Sequence, residues 1–129
     1  MAEPVRFDVA IVGGGPAGQA AAIALAGHGL SIAVIDEQMR PGGQILRQPP
    51  AGFTVANWLA DRSYAPLKRQ LDRFGGLKEI NWLGGHSAIG LQAGSIVASG
   101  PDGMRTIMAD RILIAPACQD LAVALPGWT

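Results

Sequence analysis

Residues 5–36 read VRFDVAIVGGGPAGQAAAIALAGHGLSIAVID. Val5 to Val12 is β-branched and almost continuously apolar after Asp8, the pattern of a parallel strand covered on both faces. Gly13, Gly14 and Gly15 end it. Pro16 suits the first turn of a helix, where a missing N–H costs nothing. Ala20 to Ala26 has strong helix propensity, and Gly27 to Gly29 stops it. Ser31 to Ile35 is a second apolar strand. Strand, helix and strand in this order make a β-α-β unit, and the fold class is α/β.

The turn between the first strand and the helix has the spacing G-x-G-x-x-G, carried by Gly13, Gly15 and Gly18. Its position, directly after a strand and opening a helix, is the context that gives this spacing meaning. Gly13 permits the tight turn, Gly15 lets the backbone approach a pyrophosphate, and Gly18 lets helix and strand pack closely. With Pro16 and Ala17, these residues present the helix N-terminus to phosphate oxygens. Asp36 lies 18 residues after Gly18, at the end of the second strand, near the spacing of about 20 expected for an acid that binds a ribose diol. A carboxylate there repels a 2′-phosphate, which favours FAD or NAD over NADP. Glu37 either assists Asp36 or faces water.

The rest of the chain extends this unit. Met39 to Phe53 reads as an ordered loop rich in Pro and Gly, and Asn57 to Arg62 as a short helix. Ser63 is placed to cap a helix in which Leu67, Leu71 and Phe74 form one apolar face. Leu77 to Leu83 follows as a strand. His86 to Leu91, Ser95 to Ser99 and Met104 to Ala109 make a small antiparallel meander, with Pro101-Asp102-Gly103 as a hairpin turn. Arg111 to Ala115 reads as a separate buried strand, and Leu121 to Thr129 as irregular.

Composition narrows the function. The 129 residues suit one domain. They are 49% hydrophobic and only 16% charged, with 18 glycines, so many elements must be covered on more than one face. Ten basic and ten acidic residues cancel, leaving no field for nucleic acid or an anionic membrane. The single cysteine, Cys118, excludes an internal disulfide and a cysteine-based metal cage; no metal site is expected, and the thiol reads as buried and inert. The apolar run from Ala17 to Ile35 is interrupted by Gly27, His28 and Gly29, so it reads as buried elements rather than a membrane span. No signal peptide opens the chain, and a cytoplasmic location is expected.

The run DVAIVGGGPAGQAAAIALAGHGLSIAVIDEQMRPGGQILR resembles the N-terminal FAD-binding part of the FAD/NAD(P)-dependent pyridine nucleotide-disulfide oxidoreductase superfamily. Within it the resemblance is to the branch of opine oxidase, hydrogen cyanide synthase and dye-linked proline dehydrogenase FAD subunits. The resemblance implies a Rossmann-like three-layer domain, a parallel sheet plus a small antiparallel β-meander, with FAD as cofactor. It implies that Gly43, in the pair Gly42-Gly43, and Gln44 belong to the FAD site. It also implies that Ala88 holds the adenine through its backbone, and that the stretch at Ala115 makes a second FAD contact before the chain crosses into a NAD-type domain. Family members continue into that domain and return with a last strand bearing Gly-Asp. The expectation is thus an incomplete FAD-binding domain over residues 1–129, truncated before the final strand, with the NAD(P)-type domain absent.

Two departures bear on the cofactor. Ala115-Pro116-Ala117 stands where the family has Ala-Thr-Gly, removing an N–H and adding a Cβ. The family's cysteine pair after Gly42-Gly43 is replaced by Gln44 to Arg47, which excludes a dithiol relay. Arg40 and Arg47 read equally as anion contacts or solvated side chains, His28 as a helix-end residue and His86 as a turn residue. Trp58, Trp82 and Trp128 are too widely spaced for a nucleic-acid stacking platform. No catalytic residue can be named. Two functions compete. One is an FAD-binding segment or subunit of an oxidoreductase that accepts hydride from an amine, amino acid or opine. The other is a non-catalytic nucleotide-binding accessory subunit or truncated remnant that binds FAD, NAD or ADP weakly, or NAD or ADP only if the site is incomplete, or serves as an interface. Either implies a protein partner or further domain, and an oligomer stays open.

Overall fold

The structure, a computed structural model, describes residues 3–118. Gln119 to Thr129, including the Leu121–Thr129 stretch and Trp128, lie outside the described residues. The elements in order are β1 (Val5–Val12), α1 (Pro16–Leu25), β2 (Ile32–Asp36), α2 (Ala65–Gly75), β3 (Ile80–Gly84), β4 (Ser87–Gln92), β5 (Ser95–Gly100) and β6 (Gly103–Ile114). A 3-10 turn, Arg62–Tyr64, leads into α2. The six strands form one mixed sheet in the order β3-β2-β1-β6-β5-β4. β3, β2, β1 and β6 run parallel, while β6, β5 and β4 run antiparallel. This is the Rossmann-like α/β fold expected from the strand–helix–strand reading.

Two apolar layers hold the sheet. On one face, Val9, Ile11, Ile32 and Val34 meet Ala22 of α1 and Phe74 of α2. Trp82 of β3 lies edge-on to Phe74, with ring centroids 6.1 Å apart. On the other face, Ala10 and Ile35 meet Ile96 and Ala98 of β5 and Ile107 and Ala109 of β6. The meander thus folds over the sheet as a third layer, and β4 lies against β2. Burying each Ile or Val here contributes about 1.5–3 kcal/mol. β1 and β2 are apolar on both sides because both layers cover them.

Four expectations are corrected. Met104 to Ala109 and Arg111 to Ala115 are not separate strands but one strand, β6. Its first half pairs with β5 and its second half runs alongside β1, up to Val12 opposite Ile114. Asp110 falls between the two expected strands, yet it is an exposed residue of a continuing strand and is paired with Arg6. Nor is the end of β6 buried: Leu113 and Ile114 are exposed, since β5 pairs only as far as Met108. Asn57 to Arg62 is not a helix. Asn57 and Leu59 both take positive φ, which right-handed helices exclude. Asp61 rather than Ser63 caps the turn before α2, accepting from Ser63 N at 2.8 Å.

Candidate functional site

The C-terminal ends of β1, β2 and β6 meet at one edge of the sheet, where open α/β sheets place their ligands. Gly13 follows β1 with φ +109°. Its N–H donates to the Ile35 carbonyl at 2.8 Å, and Ala115 N–H donates to the Val12 carbonyl at 2.8 Å. A Cβ on Gly13 would run into the Ala115 carbonyl, and one on Gly18 would run into the Gly13 carbonyl. The turn at Gly13 and the close packing at Gly18 therefore have direct steric causes. Gly15 differs. A Cβ there would lie 3.6 Å from Gly43 Cα, an ordinary contact, and one on Gly43 would lie 2.9 Å from Gly15 Cα. The second glycine of the motif is faced by the later glycine pair.

Gly14, which the motif spacing leaves unspecified, is the hub of the turn. Its N–H donates to Asp36 Oδ2 at 2.6 Å. Its carbonyl accepts from Gln19 Nε2 and from Gly42 N–H, both at 3.0 Å. The Trp82 ring covers it so closely that a Cβ would collide. Gln19 is fully buried, and its Oε1 has no hydrogen-bond partner among the described residues. Leaving such an oxygen unpaired costs about 1–3 kcal/mol. A lone glutamine in an alanine-rich helix was the available sequence signal.

Beside this turn lies a cavity of about 500 Å³, within the range of roughly 300–1,000 Å³ usual for small-molecule sites. Gly13, Asp36, Glu37, Gly43, Gln44 and Ala88 line it, so the structure brings together these expected residues from separate stretches of the chain. Ala88 sits where the β4–β5 register shifts, and such a bulge re-aims local side chains. Ala115 abuts Gly13, while its neighbours Pro116, Ala117 and Cys118 line the cavity. Gly15, Pro16, Ala17 and Gly18 form the start of α1 beside it. No side chain caps that helix end and no acid occupies its first turn, so its N–H groups and positive dipole end stay available to an anion.

The sequence reading missed or undervalued several lining residues. Arg47, His86, Ser87 and Gln38 join the cavity wall. His86 is held by its backbone, with N–H donating to the Asp36 carbonyl at 2.9 Å, and its Nδ1 lies 2.8 Å from the Gly84 carbonyl. Cys118 is exposed, not buried, because the segment after β6 runs over the cavity, where Gln44 Nε2 donates to the Cys118 carbonyl at 3.0 Å. His28 is a helix-end residue, its Nδ1 within 3.2 Å of the Leu25 and Ala26 carbonyls. Trp58 and Trp82 are packed apart, Trp82 in the core and Trp58 under Lys68. No cluster of side chains among the described residues is arranged to hold a metal, and none of the described helices is long and apolar enough to cross a membrane.

Gly13 of the glycine turn, the strand-end acid Asp36 and Gly43 of the later glycine pair thus stand around one cavity. The model of the pyridine nucleotide-disulphide oxidoreductase family matches residues 7–128. The chain belongs to that family. It is 35% identical to the HcnB subunit of hydrogen cyanide synthase from Pseudomonas aeruginosa, over 92% of this chain and 26% of that protein. It is 29% identical to an opine oxidase subunit from Rhizobium meliloti, over 95% of this chain and 25% of that protein. Among solved structures, L-proline dehydrogenase from P. horikoshii superposes with a TM-score of 0.61 at 28% identity, over 89% of this chain and 24% of the other. The chain thus spans about a quarter of the relatives it matches. The family is one of oxidoreductases with a dinucleotide-binding fold, and this stretch supplies that fold.

Proposed function

We propose that this chain binds the adenosine diphosphate end of FAD, as the FAD-binding segment or subunit of an oxidoreductase that accepts hydride from an amine, amino acid or opine. The observation that carries the reading is one cavity lined by Gly13, Asp36, Glu37, Gly43, Gln44 and Ala88. Its fit to the group is physical. Gly13 and Gly43 leave backbone where side chains would fill the wall. The uncapped start of α1, from Gly15 through Pro16 and Ala17 to Gly18, favours phosphate charge. Asp36 and Glu37 put acceptors at the strand end where a ribose diol belongs, and Ala88 offers backbone beside the adenine. When bound, the flavin supplies hydride chemistry; the residues described here orient it.

The substrate class rests on the relatives, among them a component of an opine oxidase and a proline dehydrogenase. The same short coverage supports a further domain or protein partner that completes the active site. Pro116 and Ala117 on the cavity wall favour the second reading, a nucleotide-binding accessory protein that takes ADP or NAD without flavin chemistry. The visible spectrum separates the two. Purified chain incubated with FAD and desalted should keep flavin bands near one equivalent. A colourless chain that ADP or NAD still protects against heat would leave only the accessory reading.

A further inference from the structure

We propose that Gln19 is a positioning residue for the phosphate end of the nucleotide: its side chain holds the Gly14–Gly15 peptide so that the Gly15 N–H stays turned toward the cavity. The inference rests on the cavity being a nucleotide site. Gln19 is fully buried, and its side chain donates from Nε2 to the Gly14 carbonyl at 3.0 Å. The Gly42 N–H donates to the same oxygen at 3.0 Å, so donors from two separate elements hold it. The peptide is trans, so its N–H points away from its carbonyl. Holding the Gly14 oxygen inside the chain therefore turns the Gly15 N–H the other way. That N–H has no hydrogen-bond partner among the described residues. It lies beside Gly43, which lines the cavity; a Cβ on Gly43 would stand 3.8 Å from Gly15 N.

This peptide needs holding. Neither Gly14 nor Gly15 carries a Cβ, and glycine takes positive φ about as readily as negative. Gly15 stands at φ −77°. Half a turn of the Gly14–Gly15 peptide would give it a positive φ at little steric cost. It would also face a carbonyl oxygen, instead of an N–H, to the phosphates. Asp36 fixes the preceding peptide through Gly14 N and leaves this one to Gln19 and Gly42. Pro16, the next residue, has no N–H to offer in its place. Gln19 Oε1 has no partner among the described residues. An apolar side chain of the same length would remove that unpaired acceptor together with the donor, an exchange close to neutral for folding. The Gly14 oxygen would keep its bond from Gly42. Binding and stability thus respond differently at Gln19, which separates positioning from packing.

The test uses the full chain, with ADP and adenosine as probes, read by calorimetric titration alongside thermal denaturation. The unaltered chain should bind ADP more tightly than adenosine. Gln19→Met keeps the side-chain length and removes both polar atoms. It should lose about tenfold in ADP affinity, the worth of one hydrogen bond to a charged group, while adenosine affinity and Tm stay near those of the unaltered chain. Gln19→Glu adds a pH readout. Its ionised carboxylate cannot donate to the Gly14 carbonyl, so ADP binding should fall at neutral pH. Once protonated, its O–H replaces the amide donor, so ADP affinity relative to the unaltered chain at the same pH should recover as pH is lowered. An ADP-over-adenosine preference in Gln19→Met equal to that of the unaltered chain overturns the assignment, whatever its Tm. So does a Gln19→Glu deficit that pH leaves unchanged. Equal affinity of the unaltered chain for the two probes overturns the phosphate site itself, a distinct result.

Discussion

The chain has two glycine-punctuated connections at the same edge of the sheet, and they are built differently. The first, Gly13 to Gly18, is short, and neighbouring elements hold it along its length. Gly13 bonds to β2, Gly14 to Asp36, Gln19 and Gly42, and Gly18 packs on Gly13. The second, from Met39 to Asp61, is long and contains no regular element. It leaves Met39, Ile45, Phe53 and Val55 exposed, Phe53 by 72%. Its start is the part packed tightly: Gly42 and Gly43 are pressed on Leu46 and Gly15, and Leu46 is fully buried. Further along, Gly52 has open space around it. Glycine content by itself therefore does not mark a site. A glycine matters where backbone from another element occupies the space of its Cβ.

Substitutions separate the two connections. Gly18→Val should have the largest effect, a loss of about 3 kcal/mol in denaturant unfolding. The helix gain of a few tenths of a kcal/mol on replacing glycine by valine is overwhelmed by collision with the Gly13 carbonyl. Gly43→Ala should cost about 1–3 kcal/mol, because its φ is +64° and its Cβ would press on Gly15 Cα. For the same reason Gly15→Val would strain the Gly43 contact, so a loss of nucleotide binding in that variant must be read beside its Tm. Gly52→Ala should cost only about 1 kcal/mol, the backbone penalty alone. If Gly52→Ala proves as damaging as Gly43→Ala, packing at the edge of the sheet is not what distinguishes the two connections.

The smallest effect is expected in the first half of β1, beside the start of β2 and away from both connections. Asp8 accepts from Ser31 N at 2.7 Å and from Ser31 Oγ at 3.0 Å. These bonds hold its carboxyl below the ordinary carboxylate range, the backbone bond first, with the nearby Arg6 adding a little. A depressed folded-state value contributes stability above the ordinary carboxylate value, and that contribution is lost as pH falls through the folded value. Asp8→Asn should therefore lower Tm slightly at neutral pH and leave it nearly unchanged in acid, which flattens the acid limb of the Tm–pH curve. An acid limb identical to that of the unaltered chain would show that the Asp8–Ser31 clasp does not couple to folding.

Much of this was legible in the sequence where the cause is local. The β-branched run to Val12, Pro16 at the helix start and Asp36 at the strand end each obey a short-range rule, and the structure puts each in that place. The steric role of Gly18 was legible too, because helix–strand crossing leaves no room beside Gly13. What escaped were contacts between distant residues. Nothing near Gly14 announces that Trp82, 68 residues on, covers it. Asp110 falls between the two strands read from the sequence, yet its side chain reaches Arg6 on the neighbouring strand. The run Asn57 to Arg62 has helix-compatible residues, but Asn57 and Leu59 adopt positive φ. Of the cavity wall, the acid and glycine positions were readable, whereas Arg47, His86 and Cys118 reach it only through tertiary placement.

Everything proposed for this chain depends on the cavity beside Gly13 and Asp36 taking the adenosine diphosphate end of FAD. Titrating the chain into FAD while following flavin fluorescence, then adding ADP in excess, tests that occupancy most directly. The expected result is a saturable signal near one equivalent that ADP reverses. A flat titration, or bound flavin that excess ADP leaves in place, would contradict it.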